Sequence, residues 1–170
     1  ERDNILAQTL AGRKEKARQG LFNGGVTPYG YKLDKETGKL VVVEEEAKIV
    51  RIIFEKYNTT SMGFAGIAKW LKEQGYEKGA RTKNGYCFFT EVNIRRIVDN
   101  PVYTGMLVYG RTVTKAKDDN PEAMHRVKSD DYIMTEVKDM KIIEKETFET
   151  AKRKREETGG RKLKIEKDHE

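Results

Sequence analysis

Asn93, Arg95 and Arg96 stand within one short stretch that reads as a helix from Glu91 to Asp99, capped by Thr90. Ile94, Ile97 and Val98 form the buried side. At about 100° per residue, Val92, Asn93, Arg95 and Arg96 project away from it. A guanidinium fork matches the two acceptors of guanine, and a carboxamide matches the donor and acceptor of adenine, so this side chain set can read base edges. The same pattern suits an exposed basic helix making surface ion pairs, and spacing alone leaves the two readings level.

Two other groups of cations could hold phosphate. Arg111, Lys115, Lys117, Arg126 and Lys128 flank a polar stretch, and the last four of these are expected to grip phosphates rather than bases. Arg13, Lys14 and Arg18 end a first helix on which Ile5, Leu6, Leu10 and Ala17 share a stripe. Gly20 and Gly24-Gly25 stop that helix. Its basic end fits a solvated helix favoured by the macrodipole and equally a helix running into a phosphate-contacting linker. In the second case Arg18 and the Asn23-Gly24-Gly25 backbone lie near phosphates of an A·T-rich minor groove, where the negative potential is enhanced.

Acid–base or metal chemistry finds little support. Asp118, Asp119, Asp130 and Asp131 share a polar loop without a supporting histidine, so a metal-dependent nuclease ranks last. Glu44-Glu45-Glu46 reads as the first turn of a helix rather than a ligand set. The single Cys87 excludes an internal disulfide and a cysteine-based zinc site, and His125 and His169 lie far apart. Neither a metal nor a cofactor is expected. Thirty-four Lys and Arg against 28 Asp and Glu give a net charge of +6 and a pI near 9.2, a modest signal for nucleic acid that clustering must decide. No stretch has the apolar length of a membrane span, and a reducing cytoplasm fits the cysteine count.

Several elements must position these residues. A hairpin turns at Glu36-Thr37-Gly38, with Leu40 to Val43 as its second strand. The clearest helix opens at Glu44, with Ala47, Val50, Phe54 and Tyr57 at helical spacing and Ile49 and Ile53 broadening the face. Thr59-Thr60-Ser61 offers caps for the next helix, where Ile67, Ala68 and Leu71 face inward and Gly75 ends the run. A loop rich in Gly, Lys and Arg follows to Gly85, then the Glu91 helix, closed before Pro101. Val102 to Thr114 reads as a strand pair or one long strand bent at Gly105 and Gly110. Lys115 to Asp131 reads as a mobile loop, and Tyr132 to Val137 as a strand pairing back. A last helix begins near Lys145 on Phe148 and Ala151. Lys152 to Lys164 is a basic run broken at Gly159-Gly160, with a poorly ordered tail beyond. The expected fold is α+β and mainly helical: a helix-turn-helix-like core with an inserted or appended small antiparallel β-sheet.

The order and spacing of several motifs resemble the recombinase domain of large serine recombinases, found in phage integrases and mobile-element transposases. Glu1-Arg2-Asp3-Asn4-Ile5 with Ala11-Gly12 is similar to the end of the long helix leaving that family's catalytic domain. Gly25-Val26-Thr27-Pro28-Tyr29-Gly30-Tyr31 resembles its Gly-x-x-Pro-Tyr-Gly-Tyr signature. Ile67-Ala68-Lys69-Trp70-Leu71 with Gly75, and Ile97-Val98-Asp99-Asn100-Pro101-Val102-Tyr103-Thr104-Gly105, resemble two further signatures. Ile142-Ile143 with Glu146, Phe148 and Glu149 resembles the closing segment, so the likeness runs to about Arg155. These signature residues have a structural meaning first: Gly30 and Gly105 release backbone strain, the prolines set turns, and Tyr31 and Tyr103 fill core or corner sites.

The resemblance implies sequence-specific binding of duplex DNA, at an attachment or transposon-end site, by a chain that performs no cleavage alone. The family's nucleophilic serine lies in a preceding domain, and a cysteine-rich zinc ribbon usually follows. Neither is in this sequence, which opens in helical pattern at Glu1, so a piece of a longer protein is expected. The parent would form a phosphoserine link to DNA without a nucleotide cofactor and would act as an oligomer on DNA. One departure stands at the closing segment, where Met140-Lys141 replace the histidine often found before Ile-Ile. Expected boundaries are 1–24 for the linker helix and basic linker, 25–155 for the DNA-binding domain and 156–170 for a basic tail. A stand-alone winged-helix regulator is the alternative, but it would need a dimerisation or effector segment that the sequence does not offer.

Overall fold

The computed structural model describes residues 2–79, 87–116, 118 and 123–167. Among the described residues, five α-helices and three two-stranded antiparallel pairings give the expected α+β architecture. The central helix, α2 (Glu44–Thr59), opens on the acidic triplet and buries Ala47, Val50, Ile53, Phe54 and Tyr57, the face its periodicity predicts. Against it pack α3 (Phe64–Glu73), α4 (Glu91–Val98) and α5 (Lys145–Lys167). Ile67 and Leu71 of α3, Ile94 of α4 and Ala151 of α5 lose all contact with solvent.

The cap of α3 differs from the sequence expectation. Gly63 is its N-cap, with no side-chain hydrogen bond. The Thr60 hydroxyl instead donates to the Lys56 carbonyl at 2.6 Å and accepts from the Met62 amide at 3.2 Å, so it closes α2 rather than opening α3. Gly75 does end the helix region, at φ +76°.

Strands β1 (Tyr31–Leu33) and β2 (Leu40–Val42) form the expected hairpin. It delivers Tyr31 to the core, where the ring stacks on Tyr103 at 5.7 Å. The Tyr31 hydroxyl lies 2.7 Å from the Met140 carbonyl oxygen and 3.0 Å from that of Val102, and burial pushes the phenol well above its ordinary range. The Tyr103 hydroxyl donates to the Tyr29 carbonyl at 2.7 Å. Two positive-φ glycines make this corner possible. A Cβ on Gly105 (φ +85°) would lie 3.0 Å from the Val137 carbonyl oxygen, and one on Gly30 (φ +96°) would press on Ile142 at 3.1 Å.

After Pro101 the chain is not yet a strand. Pro101–Thr104 forms a 3-10 turn, with the Asn100 side chain accepting from the Val102 amide, and β3 begins only at Met106 (Met106–Tyr109). Proline at the first turn and the N-capping asparagine favour the helical turn over extension. Tyr132 to Val137 does pair back: β6 (Ile133–Glu136) runs antiparallel to β3. A second ribbon starts in the expected strand stretch and extends into the one expected to be a mobile loop: β4 (Thr112–Ala116) runs past Lys115 and pairs with β5 (Met124–Lys128). Val113 opposite Val127 is its one half-buried apolar pair, while Ala116 opposite Met124 is exposed, too little for a period-2 pattern to stand out.

Helix α1 (Arg2–Arg18) rests its C-terminal end on β6 and β3. Of the expected apolar stripe only Ala17 is buried, with its carbonyl accepting from the Thr135 hydroxyl at 2.7 Å, while Ile5, Leu6 and Leu10 are exposed. Helix α5 continues to Lys167, across the expected boundary at 155 and through Gly159-Gly160 without a break. Among the described residues no helix is long and apolar enough to cross a membrane.

Candidate nucleic-acid interface

Helix α4 is short, and its cap fixes it. The Thr90 hydroxyl accepts from the Asn93 amide at 3.3 Å, while the Asn93 side-chain oxygen accepts from the Thr90 amide at 3.0 Å and from its hydroxyl at 2.9 Å. This reciprocal cap satisfies two otherwise orphaned donors. It also occupies the oxygen that Asn93 would need for a two-pronged contact with adenine, leaving its NH2 group as the free half of that side chain. Sequence reading placed Asn93 among the outward residues. Its position three residues after Thr90 was the signal for a capping box.

The two arginines differ in the same way. Arg95 reaches back to Glu91 at 3.3 Å, and its guanidinium lies 6.0 Å from the Phe64 ring centre. Arg155 covers the same ring at 4.9 Å and pairs with Asp99 at 3.0 Å, which ties α5 to the C-terminal end of α4. Arg96 is exposed and has no ion pair among the described residues. Its fork is therefore the one free to meet a ligand without breaking a contact. Beside it Val92 is half exposed.

Asn93, Arg95, Arg96 and Arg111 line one groove of about 650 Å³ between the Thr27-Pro28-Tyr29 turn, α4 and the start of the ribbon. Phe89 and Tyr103 give it an apolar wall, with Tyr29 set edge-on to Phe89 at 5.1 Å, and Lys78 adds a further cation to the lining. A contiguous smaller groove shares Asp99, Pro101 and Arg111 and is lined further along by Lys152 and Arg155 of α5. Sequence reading missed Lys78 and Lys152 as members of this surface. The Pro-Tyr-Gly-Tyr signature, whose first meaning in sequence is structural, also contributes Pro28 and Tyr29 to the groove.

The remaining site candidates lie elsewhere. Lys14 is held by Asp131 at 2.8 Å, and that hydrogen bond and charge keep the Asp131 carboxyl below the usual range. Arg18 lies 3.5 Å from Glu15, and the Arg13 carbonyl accepts from the Asn23 side chain at 3.0 Å. Lys115, Arg126 and Lys128 are exposed on the β4–β5 ribbon. Lys117 and Asp119 fall outside the described residues. Among the described residues no group of three or more His, Cys, Asp or Glu could hold a metal ion, and Asp131 faces Lys14 instead.

Known proteins share the family and the fold of this chain. A Bacillus subtilis (strain 168) protein named "Putative DNA recombinase" is 32% identical over 105 residues, 62% of this chain but only 21% of that protein. The chain thus spans about a fifth of the length of that curated relative. A crystal structure of an LSR–DNA complex matches with a TM-score of 0.58 at 21% identity, covering 86% of this chain and 38% of the other. A structure on the sequence requirements of the Listeria innocua prophage attP site matches at 0.52 and 20% identity, covering 88% and 50%. At those identities the two structures speak for the fold. The family model described as Recombinase matches residues 44–158, from the first turn of α2 to beyond the Arg155–Asp99 contact, and the chain belongs to that family.

Proposed function

We propose that this chain is the duplex-DNA-binding module of a large serine site-specific recombinase, with residues 25–155 as the binding unit. Residues 1–24 lead from a catalytic domain, and residues 156–170 lead toward a zinc ribbon. The observation that carries this reading is the groove beside α4, where an unpaired Arg96 lies among Arg95, Arg111 and Lys78 on an apolar wall. A helix that exposes such a face suits the major groove, with arginine forks on guanine and lysines on phosphate. Arg18 and the Asn23-Gly24-Gly25 stretch follow the adjoining minor groove in this reading, with an A·T preference there. The serine that attacks DNA belongs to the parent's other domain, so the module forms no covalent adduct, and the parent assembles as an oligomer on its DNA in the cytoplasm.

Selection of duplexes from a randomised pool tests this. The chain is expected to enrich a defined sequence with a guanine whose contact depends on Arg96 and with A·T pairs at one flank. Arg96→Ala should cost roughly 1–3 kcal/mol on that duplex and little on random DNA. Arg95→Ala, already held by Glu91 and Phe64, should cost less. Equal weakening of both kinds of DNA by Arg96→Ala would refute base reading by α4, and a pool without A·T bias would refute the minor-groove path.

A further inference from the structure

The β4–β5 ribbon has a charge distribution that phosphate binding on one side does not explain. Neither strand contains an acidic residue, in a chain where Asp and Glu number 28. Directly paired residues of an antiparallel ladder share a face, and successive residues alternate between faces. Thr112 opposite Lys128 and Thr114 opposite Arg126 therefore lie on one face, and Lys115 opposite His125 lies on the other. Lys115, Arg126 and Lys128 are all exposed and have no ion pair among the described residues. Cations on opposite faces point away from each other, so one phosphate backbone cannot meet both.

We infer that this ribbon stands inside a duplex groove, with Arg126 and Lys128 on the phosphates of one strand and Lys115 and His125 on those of the other. The inference rests on the DNA-binding reading above and adds to it how both strands are gripped. The major groove, about 12 Å wide, admits a two-stranded ribbon and has a phosphate backbone along each wall. The open face adds two hydroxyls, from Thr112 and Thr114, as further donors. At the other face Val113 and Val127 are half-buried and carry no charge, so the grip on that strand falls to Lys115 and His125.

The experiment is phosphate-ethylation interference on a duplex that the intact chain has enriched from a randomised pool. The wild-type chain should show sensitive phosphates on both strands across one groove. Lys115→Ala should relieve sensitivity on one strand only, and Arg126→Ala with Lys128→Ala on the opposite strand only. The slope of log affinity against log salt should fall by about one for each cation removed. All three residues are exposed strand positions, so the variants keep the fold. Relief on the same strand by both variants overturns the inference. So does an unchanged pattern and slope while Arg96→Ala still weakens binding. A chain that enriches no duplex overturns DNA binding itself, and the ribbon's role with it.

Discussion

Raising monovalent salt from about 50 to about 200 mM is expected to weaken the chain's hold on duplex DNA by on the order of a hundredfold. The size follows from which cations are free. Lys14, Arg18, Arg95 and Arg155 already face Asp131, Glu15, Glu91 and Asp99. Arg96, Arg111, Lys115, Arg126 and Lys128 have no such partner among the described residues. Each phosphate neutralised contributes about 0.9 to the slope of log affinity against log salt, so roughly four contacts give that hundredfold over a fourfold change in salt. Fluorescence anisotropy titrations across that range measure the slope directly. A slope near zero would mean that these cations do not meet phosphate, and DNA binding through this surface would be wrong.

Tyr103→Ala is expected to destabilise the fold by about 3–5 kcal/mol, as for other large aromatic truncations in a core. Tyr103 is 1% exposed, stacks on Tyr31 at 5.7 Å and meets the edge of Phe54 at 6.1 Å. Its carbonyl accepts from the Ile142 and Ile143 amides at 2.8 and 3.0 Å, contacts that survive the substitution only if the corner stays in place. Tyr103→Phe separates packing from the hydrogen bond. It leaves the ring and removes the donor to the Tyr29 carbonyl, at a cost of about 1 kcal/mol. Urea unfolding followed by circular dichroism gives both values. A loss under about 1 kcal/mol for the alanine variant would show that the corner is held without the ring.

Much of the scaffold was legible because strong local signals agreed with the tertiary structure. The α2 face, the Thr90 cap, the positive-φ positions Gly30 and Gly105 and the β1–β2 turn all announce themselves within a few residues. What was not legible depended on partners distant in sequence. Ile5, Leu6 and Leu10 share a helical stripe, yet α1 meets the rest of the fold only toward its C-terminal end, so the pattern did not mean burial. The β4–β5 ribbon lacks apolar alternation and is defined by its main-chain ladder. Gly159-Gly160 signalled a break, although intrinsic propensity is a weak prior and one helix spans both residues. At the candidate site, α4 and its outward arginines could be read. Which arginine is free could not, because Glu91, Phe64, Asp99 and Arg155 decide it through contacts that spacing does not encode.

The ribbon's thin anchoring bears on how firmly it stands before any encounter. Its strands share a main-chain ladder and one half-buried valine pair, whereas α2 is clamped by five buried side chains. Local opening free energies scale with such contacts, so the ribbon lies near the low end and α2 near the global value. Its amides are therefore expected to exchange with solvent through small openings that leave the helical core intact. A partner that grips the ribbon must first suppress those openings, and that ordering cost offsets part of each new contact. In the proposed DNA-binding reading, α4 would act as the rigid reader and the ribbon as a compliant arm, able to settle on grooves of slightly different width while the helix keeps its register.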